Sequence, residues 1–156
     1  FALMVPVVAA EGEFGMAFRG NAFKGALNPG LSISPGVRLN KWASFTSRVS
    51  VQPEATTLRI TQYALTAGLE EYLNQGKVRV FLVQAPGVLL SRVPRGRVYA
   101  YEREFLTHLG GGLKFDLSQR SQFKIEVGDA LLRAKLIRGH EWQHKFYFEA
   151  GFVFRF

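Results

Sequence analysis

The last twelve residues alternate without a break. Every even position from Phe146 to Phe156 is apolar, and five of the six are Phe, while the odd positions carry Lys145, Tyr147, Glu149, Gly151, Val153 and Arg155. A period of two specifies a β-strand with two unlike faces. In a water-soluble fold the phenylalanine face would turn inward onto a core. In a transmembrane barrel it turns outward to lipid, and the last strand closes the cylinder.

The same period recurs upstream, with apolar faces at Phe14, Met16 and Phe18; at Leu31, Ile33, Val37 and Leu39; and at Phe45, Val49 and Val51. It continues at Tyr63, Leu65 and Leu69; at Val78, Val80 and Leu82; at Phe105, Leu109 and Leu113; and at Phe123, Ile125 and Val127. With the terminal run these make eight strands. Pro35 interrupts the second and suggests a bulge or a weakly paired spot. The connections alternate between long (20–30, 52–57, 86–103, 130–144) and short (40–42, 72–76, 117–121). Short turns on the side of both termini, longer external loops and an even strand count are the pattern of an up-and-down barrel. Residues 11–156 are therefore expected to form an all-β, eight-stranded antiparallel up-and-down transmembrane β-barrel.

A chain of 156 residues is one domain by length. It holds no run of about 18 apolar residues, so no transmembrane helix is available. Its mean hydropathy is close to neutral, as interleaved polar and apolar positions require. The absence of cysteine excludes disulfides, thiolate metal sites and thiol nucleophiles. Residues 1–10 are apolar and end in Val8-Ala9-Ala10, a small-x-small pattern expected of a signal-peptide remnant.

The polar faces decide between lipid outside and water outside. They are dominated by small residues such as Gly15, Ser32, Ser34, Ser44, Ser50, Gly68, Gly110, Gly112 and Gly128. Among them stand Arg38, Arg48, Arg79, Lys114, Lys124 and Arg155 with Glu13, Glu70, Glu126 and Glu149. The interior of an eight-stranded barrel is only wide enough to be filled by side chains, so large lumen residues need small neighbours. Buried charges there must be paired, and charges of both signs supply the pairs. A soluble lipocalin-like carrier, with its apolar face turned in around a ligand, is the alternative from another class.

The chain resembles the eight-stranded outer-membrane β-barrel proteins of Gram-negative bacteria, the OmpA/OmpX-like group. The resemblance rests on the eight segments, on the Leu109–Arg120 strand and turn with its Gly110-Gly111-Gly112 run, and on the closing Phe152, Phe154 and Phe156. It implies an integral protein of the bacterial outer membrane, inserted by the barrel-assembly machinery, with those three phenylalanines as the assembly signal. It also implies a closed lumen, a monomer, and function through external loops: adhesion, lipopolysaccharide contact or envelope integrity.

The net charge of +8 raises nucleic acid or an anionic membrane surface as a partner. Nucleic acid would want basic residues interleaved with exposed aromatics on one platform, whereas here the aromatics belong to the apolar face. Arg92, Arg95 and Arg97 in one expected loop, and Arg133, Lys135 and Arg138 in another, fit lipopolysaccharide phosphates, which Arg engages bidentately. His140-Glu141-Trp142-Gln143-His144 has two histidines four apart, but not the zincin pattern, and neither a metal nor a cofactor is expected. A lipid-modifying barrel, such as a lipid A deacylase, would need Ser, His and an acidic residue on its lipid-facing wall. None of His108, His140 and His144 lies in a His-x-Ser-Asn context, so no catalytic residue is assigned.

Overall fold

In the computed structural model the eight strands are β1 (Glu11–Phe23), β2 (Ala26–Asn40), β3 (Ala43–Gln52), β4 (Thr61–Tyr72), β5 (Val78–Arg95), β6 (Val98–Asp116), β7 (Ser121–Leu136) and β8 (Gly139–Arg155). Each pairs antiparallel with its chain neighbours, and β8 returns to β1, so the sheet closes into a barrel. The closing seam runs from Glu13 opposite Arg155 to Ala22 opposite Phe146. At its end the backbones of Gly12 and Phe156 exchange hydrogen bonds of 3.0 and 3.1 Å. The structure describes residues 11–23, 26–53, 60–95, 98–136 and 139–156, and the expected signal remnant at 1–10 lies outside them.

The inward-outward phase follows the alternation. Leu65, Val127 and Phe146 are 53%, 58% and 66% exposed, whereas Arg48 and Glu126 are buried. Large apolar side chains outside and charges inside are the reverse of a soluble protein, and only hydrocarbon makes that arrangement favourable. The outward belt makes this an integral membrane barrel.

The turns at the termini end are built by short polar side chains. Asn40 Oδ1 accepts from the Trp42 N–H, Asn74 Oδ1 accepts from the Val80 N–H, and Ser118 Oγ accepts from the N–H groups of Arg120 and Ser121. Gly76, in the β4–β5 turn, has φ of +140°, a conformation that favours glycine.

At the opposite end the long loops expected at 20–30, 86–103 and 130–144 are largely strand. β5 and β6 stay paired up to Arg95 opposite Val98, β7 and β8 up to Leu136 opposite Gly139, and β1 and β2 up to Phe23 opposite Ala26. Most of the fourth expected loop, 52–57, falls outside the described residues. Pro, Gly and Arg punctuate these segments like loops. Above the bilayer, however, the outward face of a strand meets water, so Arg92 or Arg133 there is compatible with pairing.

Proline leaves a narrower mark. Pro35 sits opposite Phe14 on β1, but towards β3 the ladder passes from Ile33 opposite Val49 to Gly36 opposite Thr46. Pro86 does the same on β5: it faces Thr107 on β6, while towards β4 the ladder passes from Gly87 to Gln84. A residue without an N–H serves one neighbour and interrupts the other.

Candidate functional site

Two features concentrate the polar chemistry of this barrel: the lumen and the outward rim at the hairpin end. In the lumen, Arg48 bonds Glu126 bidentately at 2.8 and 2.7 Å, and its Nε approaches Glu149 at 3.6 Å. Glu126 also accepts from the Tyr147 hydroxyl at 2.7 Å and meets Lys124 Nζ at 2.8 Å. Lys124 bridges onward to Glu70 at 2.7 Å, and Glu70 is shared with Lys114 and the Tyr72 hydroxyl. Every group has several partners, which is the condition under which a buried charge is tolerated.

Nearer the termini, Asp116 receives Arg79 at 2.9 Å and Arg155 at 3.2 Å, and Glu13 faces Lys114 at 3.6 Å. At the other end of the network Arg19 reaches Glu149 at 3.4 Å and His108 Nε2 at 2.8 Å, with its guanidinium 4.3 Å from the centre of the Tyr147 ring. The structure thus brings together Arg48, Glu70, Arg79, Lys114, Lys124, Glu126, Glu149 and Arg155. Arg38 is a correction to that set: it lies half-exposed at the termini-end rim, 3.5 Å from Glu11.

Arg19, Asp116, Tyr72 and Tyr147 belong to the network and are not assigned to it from sequence, whereas His108, which its place in β6 predicts to be a lumen-facing, hydrogen-bonded histidine, meets Arg19 there. Their signal was parity, since each occupies an inward position of its strand. Among the described residues of this network, six cations (Arg19, Arg48, Arg79, Lys114, Lys124, Arg155) face five anions (Glu13, Glu70, Asp116, Glu126, Glu149), so the network is balanced to within one charge. Seven of the eight net positive charges therefore lie elsewhere.

Room for these side chains comes from glycine. A Cβ on Gly128 would stand 2.7 Å from Gly110 Cα and 2.8 Å from the Tyr147 hydroxyl, so both glycines keep the space that Tyr147 occupies. Between Arg79 and Ser91 the inner face of β5 is apolar instead, with Phe81, Val83 and Ala85, and Lys124 Nζ lies 4.6 Å from the centre of the Phe81 ring.

Toward the hairpin end the lumen changes character. Leu89, Leu106 and Leu132 point inward and pack with Ala64, Ala130 and Tyr147 into an apolar plug, with Arg19, Asn21, Gln52, Gln62 and Lys145 lining the rest of the same space. On the outside of the same wall Arg92 stacks 3.6 Å from the Tyr99 ring centre, and exposed Arg103 shares β6 with Tyr99 and Tyr101. Arg133 is exposed opposite Trp142, so at this rim basic residues do stand among exposed aromatics, which corrects the expectation that the aromatics belong only to the apolar face. Arg92 and Arg133 thus lie on strands rather than in loops. The side chains of Arg95, Arg97, Lys135 and Arg138 fall outside the described residues.

His144, on the outward face of β8, is held by Asp129. No serine or threonine hydroxyl is bonded to His144 among the described residues. Of the His140–His144 pair, the His140 side chain lies outside the described residues. Phe152, Phe154 and Phe156 all point outward, and Phe152 packs on Phe123 with ring centres 5.4 Å apart.

Neisserial surface protein A shares this architecture with a TM-score of 0.73 at 14% identity, over 94% of this chain and 97% of that one. The N-terminal barrel of Pseudomonas aeruginosa OprF aligns at 0.62 and 11% identity, over 92% and 97%. The attachment invasion locus protein Ail of Yersinia pestis aligns at 0.55 and 16%, over 94% and 97%. All three are eight-stranded outer-membrane barrels. The chain has the fold of an outer-membrane β-barrel. No protein-family model matches it, and no curated protein does. At these identities the likeness to the OmpA/OmpX-like group is one of fold.

Proposed function

We propose that this outer-membrane barrel is a surface-interaction protein whose hairpin-end rim binds the phosphates of lipopolysaccharide, and that it acts by contact rather than by catalysis. The observation carrying this reading is the outward arc of cations set among aromatics: Arg92 on Tyr99, Arg103 beside Tyr101, and Arg133 opposite Trp142. Aromatic residues collect at the membrane interface, and guanidinium groups at that height meet a dense phosphate layer. The near-neutral lumen supports the same reading, because the excess charge is left for the rims. Another structure of Ail holds the heparin analogue sucrose octasulfate, and its TM-score with this chain is 0.53; a polyanion on a barrel of this shape is in keeping with a cationic rim. During biogenesis Phe152, Phe154 and Phe156 serve as the signal read by the assembly machinery.

The test is binding of lipopolysaccharide to the detergent-refolded barrel as a function of salt. The double variant Arg92→Glu, Arg133→Glu should weaken binding at least ten-fold at low ionic strength and flatten its salt dependence. Unchanged affinity would remove the rim from the function. The Asp129–His144 pair on the lipid-facing wall favours a second reading, a lipid-modifying enzyme. Mass analysis of the same lipid after incubation addresses it, and intact lipid A counts against it.

A further inference from the structure

Gln84 is out of place. It points outward on β5, exposed, with Leu69 facing it from β4 and Leu109 from β6. It lies six residues beyond the start of β5 at Val78. At about 3.3 Å per residue along a strand tilted by roughly 40°, that is ~15 Å into the wall, near the middle of an apolar band ~25 Å tall. Among the described residues its side-chain amide makes no hydrogen bond. The nearest polar side chains on this face are Glu71 on β4, one step closer to the termini-end rim opposite Leu82, and Thr107 on β6, one step toward the hairpin end opposite Pro86.

The wall around Gln84 is recessed. Ala67, Gly68, Leu69, Glu71, Leu82 and Pro86 line a groove of about 240 Å³ with it, where the β4–β5 ladder skips Ala67 and Gly68 because Pro86 has no N–H to give. Acyl chains offer neither a donor nor an acceptor to an amide, and headgroups do not reach this depth. Polar residues at such depth join protein surfaces to one another, and small neighbours let the surfaces approach.

We propose that, in place of the monomer expected from the resemblance, two copies of this chain meet in the bilayer through the β4–β5 wall, with their Gln84 amides bonded reciprocally. A carboxamide carries one acceptor oxygen and two N–H donors, so it is complementary to itself. A second copy presents it at the same depth, because a twofold axis along the membrane normal preserves height. Such an isologous contact uses one patch twice and closes at two subunits.

The chain has no cysteine, so single-cysteine variants report position cleanly. In lipid vesicles, Gln84→Cys should form a disulfide-linked dimer under mild oxidation, whereas Met16→Cys on the opposite wall should not. Energy transfer between labelled copies, followed on dilution with lipid, gives the dissociation constant. Gln84→Leu, a change suited to a lipid-facing position and therefore compatible with folding, should raise it roughly five- to ten-fold. Two results overturn the proposal: no transfer above the random level for the unsubstituted protein, or an equal dissociation constant for Gln84→Leu.

Discussion

Along β6 and β7 the two faces of the wall exchange roles. Near the termini end Leu113 and Ile125 face lipid while Lys114, Lys124 and Glu126 are buried; near the hairpin end Arg103 and Arg133 are exposed while Leu106 and Leu132 are buried. The strands are continuous across the change. What changes is the outer medium. In hydrocarbon an outward charge is prohibitive and the inside must take the polar residues, whereas in water the ordinary arrangement returns and an apolar core becomes favourable. The barrel is thus a membrane protein in one half and resembles a soluble β-barrel in the other, and its two cores should fail in different ways.

The largest effect should come from the charged half. Glu126→Gln keeps the size but removes the charge that Arg48, Lys124 and the Tyr147 hydroxyl share. It leaves two buried cations undercompensated, at a cost of about 3–5 kcal/mol. Urea unfolding in detergent, read from the cold-versus-boiled gel shift, measures this. A loss below about 1 kcal/mol would mean that water screens the lumen and that the network is not dry.

The apolar half should respond more locally. Leu132→Ala removes a side chain that is 1% exposed from the plug formed with Leu89 and Leu106. The expected loss is about 2–3 kcal/mol, because the two hairpins have room to close over part of the cavity. Limited proteolysis should cut the β5–β6 and β7–β8 hairpins faster while the gel shift persists. A global loss matching that of Glu126→Gln would show the two cores to be one cooperative unit.

How much of this could be read from the sequence follows from the same division. Within the bilayer, period two and inside-out polarity agree, and every strand was assigned its correct outward face. Toward the hairpin end Pro29, Pro94 and a series of arginines imitate a loop, because the rule that a strand's outward face must be apolar no longer holds there. In the lumen the residue types were visible but their pairing was not. Arg48 and Glu126 stand 78 positions apart, and they meet because barrel closure sets the stagger between distant strands. Arg19 and Asp116 had the right parity, yet nothing local distinguishes a lumen charge from a rim charge at a strand's end. Arg38 shows the converse, with the right parity and a place too near the mouth.

Arg38 also supplies the smallest expected effect and bounds the comparison from below. Its ion pair with Glu11 is 3.5 Å long, with side chains 21% and 56% exposed, whereas the side chains of the Arg48–Glu126 pair are 4% and 0% exposed. Residue types are alike, but Glu11 and Arg38 are cross-strand neighbours at the mouth, whereas Arg48 and Glu126 meet bidentately across the lumen, so the contrast sets a wet single contact against a dry double one. Water already solvates both rim groups, and ordering two long side chains offsets most of the attraction between them. Arg38→Ala should therefore change stability by less than about 1 kcal/mol, and raising the salt concentration should shrink even that. A double-mutant cycle with Glu11→Ala separates the pair from the rest of the rim. A coupling as large as the Glu126→Gln loss would mean that the dry network extends to the mouth of the barrel, and the division between charged core and solvated rim would have to be redrawn below Arg38.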